Sequence, residues 1–113
     1  MITIDMLKEY GADVSVGLSR CMGNEALYLR LVSTIPSEEH FSRLKDSIEA
    51  GDLAAAFENA HALKGVTGNL SLTPLYTPLV EITELLRAKE NTDYTELLSE
   101  IIRQKDTLKQ LCE

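Results

Sequence analysis

A chain of 113 residues has room for one hydrophobic core but not for two nucleotide-binding halves, so a single domain over residues 1–113 is expected and a large multidomain enzyme is excluded. With 11 Lys and Arg against 18 Asp and Glu the formal charge is −7, which offers no field to phosphate backbones or anionic lipid heads and excludes nucleic acid and membrane surfaces as general partners. Trp is absent, so a stacking platform for bases is not expected either.

Apolar residues recur at helical spacing along nearly the whole chain and alternation of period two never persists, so the fold class is all-α. A short first helix is expected over Ile4–Tyr10, stopped by Gly11, and a second from an Asp13 N-cap to Met22, closed by Gly23. Asn24 caps a third helix carrying Leu27, Tyr28, Leu31, Val32 and Ile35. Pro36 removes a backbone donor and should bend or split it before Phe41, Leu44 and Ile48 resume the apolar face up to Gly51. Asp52 caps the next helix, with Leu53, Ala56, Ala60, Leu63, Thr67 and Leu70 as its buried stripe. Thr73-Pro74 signals another start, and Leu72, Leu75, Leu79, Ile82 and Leu86 extend this helix to Ala88. Pro78 in its second turn predicts a start in two stages, with Thr77 as a second cap. The last helix begins at Thr92 or Asp93 and carries Tyr94, Leu98, Ile101, Lys105, Leu108 and Cys112 along one side. Four long elements with short connections predict an antiparallel four-helix bundle, with a short additional N-terminal helix over one end.

Cys21 and Cys112 stand far apart with no CxxC, which fits two free thiols in a reducing compartment rather than a disulfide scaffold or a zinc site. The N-terminus carries Asp5 and no apolar signal segment, and no run approaches membrane-spanning length, so a cytoplasmic protein is expected. The starting methionine and full last helix fit a free-standing module.

The informative face is on the Asp52 helix, roughly 130° from its apolar stripe: Ala54, Phe57, Glu58, His61, Lys64, Gly65 and Gly68. Solvent faces are usually filled with Glu, Lys and Gln, whereas two mid-helix glycines here sacrifice roughly 2 kcal/mol of helix preference. Either a neighbouring helix crosses closely or a partner must approach the imidazole. A lone helical histidine is ordinarily a surface or satisfied core residue, and a lone lysine a solvated one. Together, a nitrogen nucleophile, a cation at i+3 and a cleared surface at i+4 make a coherent site for an incoming phosphoryl group. An imidazole, with an ordinary pKa of about 6.5, keeps a lone pair near neutral pH, and phosphoryl transfer demands mostly positioning and charge neutralisation. The chain has no P-loop, no GxGxxG and no kinase signature, so ATP is not its expected phosphoryl source.

The run Ala60-His61-Ala62-Leu63-Lys64-Gly65-Val66-Thr67-Gly68-Asn69-Leu70 resembles the His-x-Leu-Lys-Gly signature of histidine-containing phosphotransfer (HPt) domains. Gly23-Asn24-Glu25-Ala26-Leu27-Tyr28 and Gly51-Asp52 look like the family's turns into its second long helix and into its histidine helix, so the likeness spans nearly the whole chain. The resemblance implies a phosphocarrier in a multistep phosphorelay, not an enzyme in its own right, with His61 accepting phosphate at Nε2, Lys64 steadying it and Gly65 clearing space. It implies no cofactor of the chain's own, because the partner receiver domain brings the magnesium ion and the catalytic aspartate. The implied partners are response-regulator receivers and a hybrid sensor histidine kinase, meeting a monomer around Phe57, Glu58 and Gly68 together with Met6, Leu7 and Leu18 of the first two helices. Two positions depart from the family pattern. Ser71 stands where many members have glycine, which implies a differently shaped turn. Thr83 stands where some place a glutamine, and its shorter hydroxyl implies contact with the site through water or none.

Two other classes compete. Glu58-Asn59-Ala60-His61 is a Glu-x-x-His element of the di-iron type, but Ser37 stands at the matching position before His40, so the second copy is missing. A bundle that binds a receiver or kinase domain without being phosphorylated is the other alternative, which the intact His61, Lys64 and Gly65 disfavour. Gly65-Val66-Thr67-Gly68 forms a GxxG, though within a helix rather than a basic loop.

Overall fold

The computed structural model describes residues 1–113. The chain forms seven α-helices: α1 Ile4–Tyr10, α2 Val14–Arg20, α3 Glu25–Thr34, α4 His40–Glu49, α5 Leu53–Asn69, α6 Thr73–Arg87 and α7 Thr95–Cys112, with one 3-10 turn, Ile35–Ser37, between α3 and α4. The polar caps are where the sequence puts them. Asp13, Asn24 and Asp52 accept from the backbone N–H groups of Val16, Leu27 and Ala55, and Thr3 does the same for Met6 at the head of α1. Each occupies one of the donors that a helix start leaves unpaired.

Pro36 lies within the 3-10 turn, so the expected interruption is real and α3 and α4 are two abutting pieces. Pro78 behaves otherwise. α6 runs unbroken through it, and no side-chain cap forms at either Thr77 or the helix start, where Leu72 is the N-cap residue. Leu75 and Leu79 on either side of Pro78 are fully buried. Each such leucine stabilises by about 1.5–3 kcal/mol, so together they outweigh the cost of about 3 kcal/mol for an interior proline. Two boundaries also shift. α2 ends at Arg20, because Met22 turns left-handed (φ 55°) and Gly23 N–H closes onto the Leu18 carbonyl at 2.8 Å. α7 starts at Thr95 behind the buried Tyr94, whose hydroxyl donates to the Glu90 carbonyl at 2.7 Å.

The three short connections after α4 turn each of α5, α6 and α7 back along its predecessor, giving the antiparallel bundle. One core cluster of 21 buried residues, from Ile2 to Leu108, draws on every helix. The N-terminal helices are tied to the turn between α5 and α6. Asp13 N–H donates to the Ser71 carbonyl at 2.9 Å, and the Tyr28 hydroxyl donates to the Leu70 carbonyl at 2.8 Å. Tyr10 reaches the Gln104 carbonyl of α7 at 3.1 Å. The turn that ends α5 is therefore tied to α1–α3. No helix is long and apolar enough to cross a membrane.

Candidate functional site

Five of the six stripe residues of α5, namely Ala56, Ala60, Leu63, Thr67 and Leu70, are buried, and Leu53 is half-buried. That burial sets the azimuth of the helix and turns His61 and Gly65 to solvent. The Phe57 ring, one turn earlier and half-buried, stacks on the imidazole with centroids 5.6 Å apart and planes inclined by 18°. The guanidinium of Arg87, at the end of α6, lies 5.4 Å from the centre of the same phenyl ring, within cation–π range. Of the two histidines, His40 is the one held by a hydrogen bond, Nδ1 to Glu38 Oε2 at 3.1 Å. Lys64 is half-buried and Glu58 exposed.

The two glycines have different reasons. A Cβ built on Gly65 meets nothing within 4 Å, whereas one on Gly68 would lie 2.8 Å from Cε1 of Tyr76 on α6. Gly68 is thus required by the fold, because the Tyr76 ring rests where its side chain would be. Gly68 is nonetheless only half-buried and lines the groove that opens beside it. The Gly68 carbonyl also accepts from Arg20 Nη1 at 2.6 Å. Beside it opens a groove of about 410 Å³ whose lining includes Asp13, Arg20, Lys64, Gly65, Gly68 and Tyr76.

The two positions that depart from the family pattern resolve differently. Thr83 is fully buried and its hydroxyl donates to the Leu79 carbonyl at 2.6 Å, so it is committed to its own helix. Ser71 adopts φ 55°, the left-handed conformation that glycine favours, so serine bears the strain and the turn keeps the glycine-like backbone.

The Hpt domain family profile matches residues 36–113, well over half the chain. The chain belongs to the Hpt domain family. No curated protein and no solved structure matches it. Hpt domains are histidine phosphocarriers of phosphorelays and work with receiver domains of two-component systems. The matched span covers α4–α7 and includes the His61 face, while α1–α3, with the Gly23–Tyr28 segment, lie outside it.

Among the expected docking residues of this Hpt domain, Leu7 is corrected: it is fully buried in the core and no partner can reach it. Its neighbour Met6, and Leu18, are half-buried and pack on that core. The apolar groups that α2 and the following turn do expose are Val16 and Met22. Sequence periodicity marks which residues are apolar, and at helices of seven residues it leaves the buried side ambiguous by one position. Arg20, Tyr76 and Arg87 border the site without having been signalled by the sequence, because each meets α5 from another helix. The sole hint was Arg20 as a basic residue in the last turn of α2.

Proposed function

We propose that His61 is the phosphoacceptor of this Hpt domain. The chain takes a phosphoryl group from an aspartate of one receiver domain, as carried by a hybrid sensor histidine kinase, and passes it to the receiver of a response regulator. The observation that carries this reading is Gly65. Nothing in the fold fills the space its side chain would take, so the helix preference of about 1 kcal/mol forgone there is explained by something outside the molecule that must come close to His61.

The chemistry follows from the groups present. The Nε2 lone pair attacks phosphorus in line with the departing aspartyl oxygen; the N–P bond forms as the O–P bond breaks, aspartate leaves as a carboxylate, and the Nδ1 proton passes to solvent. Phe57 limits the swing of the imidazole, and Lys64, three residues on, neutralises phosphoryl oxygens. The remaining charge neutralisation comes from the magnesium ion and carboxylates of the receiver, so the carrier holds no cofactor of its own. It works in the cytoplasm as a monomer.

The test is phosphoryl labelling from a receiver domain charged with acetyl phosphate and magnesium. Wild type should give an acid-labile, alkali-stable adduct and His61→Gln none; label persisting in His61→Gln overturns the assignment. Lys64→Ala should slow transfer or shorten the life of the adduct, and unchanged kinetics would remove Lys64 from the site.

A further inference from the structure

Arg20 and Lys64 line one groove with Gly65, which follows His61 by one turn of α5, and neither joins the ion pairs of the chain, which engage His40, Arg43, Arg87, Arg103 and Lys105. In a protein of net charge −7, two unpaired cations on one concave surface reverse the local sign. Asp13, the acid of the groove, has Oδ1 engaged by the Val16 N–H at the head of α2. Arg20 does not sweep freely: its Nη1 is anchored on the Gly68 carbonyl at 2.6 Å. A guanidinium carries five N–H donors, so this anchor leaves others for an acceptor from outside.

Position along α5 separates the tasks of the two cations. Lys64 is one turn from His61, within reach of a group bound to the imidazole. Gly68, where Arg20 is anchored, lies seven residues on, about 10 Å along the helix. An outside acceptor for Arg20 would therefore be a second anion, separate from the transferred group. A helix-end cap would account for the bond to Gly68, but it would be indifferent to charge on a partner.

We propose that Arg20 is a partner-selecting residue that pairs with a carboxylate on the docking surface of the receiver domain, leaving Lys64 to the phosphoryl group. This rests on His61 being the phosphoacceptor. A charge pair at the rim of a docking surface steers and discriminates partners more than it adds affinity, which is what a device for choosing among receivers must do.

The experiment compares wild type with Arg20→Lys, Arg20→Met and Arg20→Glu. The phosphodonor is the receiver domain that charges wild type fastest, loaded with acetyl phosphate and magnesium, at low and high salt. Arg20→Met should lower kcat/KM about fivefold and Arg20→Glu about thirtyfold at low salt, chiefly through KM, with the differences shrinking at high salt. Arg20→Lys should fall between wild type and Arg20→Met. The lifetime of phosphorylated His61 in the isolated protein should be unchanged. Equal kcat/KM and equal salt dependence across the variants would reduce Arg20 to a cap on α5, and a loss confined to kcat or to adduct lifetime would place it on the phosphoryl group; either overturns the proposal. Melting curves accompany each variant, and if Arg20→Glu does not fold, the Met and Lys variants decide. Label in His61→Gln would sink the phosphoacceptor reading, whereas its loss there with silent Arg20 variants sinks this inference alone.

Discussion

The phenyl ring of Phe57 covers the imidazole of His61, 5.6 Å between centroids and 18° between planes, and Arg87 approaches that phenyl ring from the neighbouring helix. Both rings lie on one face of α5 one turn apart, where helical side chains lean toward the N-terminus and meet. The stack restrains an otherwise exposed side chain and leaves the ring edge, with its nitrogens, uncovered by Phe57. An offset aromatic pair is worth about 0.5–1.5 kcal/mol, so Phe57→Leu should cut single-turnover transfer roughly two- to tenfold. Phe57→Tyr should keep it near wild type. The His61 ring-proton chemical shifts report the loss of stacking directly, and shifts unchanged in Phe57→Leu would refute the restraint.

Gly65 and Gly68 should respond oppositely to alanine. Gly65→Ala fills open space, so it should stabilise the helix by about 1 kcal/mol and raise Tm by about 4 °C, while slowing transfer from the receiver. Gly68→Ala puts a methyl group 2.8 Å from the Tyr76 ring, so the ring must move. The helix gain should be offset or reversed, costing up to about 2 kcal/mol. Calorimetry and transfer rates on the two variants measure both effects.

Ser71→Gly should raise stability by several tenths to about 1 kcal/mol, because glycine adopts the observed left-handed backbone without the steric cost borne by serine. The main-chain bond from Asp13 N–H to the carbonyl of residue 71 does not depend on the side chain, so α2 should stay docked. A lower melting temperature for Ser71→Gly would contradict this.

Alkaline detachment of the N-terminal helices should be governed by two phenols, the buried Tyr28 and the half-buried Tyr10. Burial, with smaller contributions from Cys21 and Asp13, pushes the Tyr28 pKa up to about 12, and burial raises Tyr10 as well. Since the folded-state values are raised, the stabilisation is complete below the ordinary tyrosine pKa of about 10 and is lost as pH climbs toward the folded-state values. The helices α1–α3 should therefore detach above about pH 10, followed by phenolate absorbance and circular dichroism together. Tyr28→Phe should move this transition upward in pH while costing about 1 kcal/mol at neutral pH, since the Leu70 carbonyl loses its donor.

The helices, the Asp13, Asn24 and Asp52 caps, the buried stripe of α5 and the face carrying His61, Lys64 and Gly65 are all legible in the order of residues along the chain. All of these depend on spacing within one helix, where a period of 3.6 residues makes the neighbours of a side chain calculable. What crosses between helices emerges with the packed fold. It shows that Gly68 accommodates Tyr76 while Gly65 accommodates nothing inside the molecule, that Leu7 is core rather than surface, and that α6 continues unbroken past Pro78. It brought Arg87 to Phe57 and Arg20 to Gly68. Such contacts join residues far apart in the chain and follow from how whole apolar faces pack, an energy summed over many side chains that no local pattern contains.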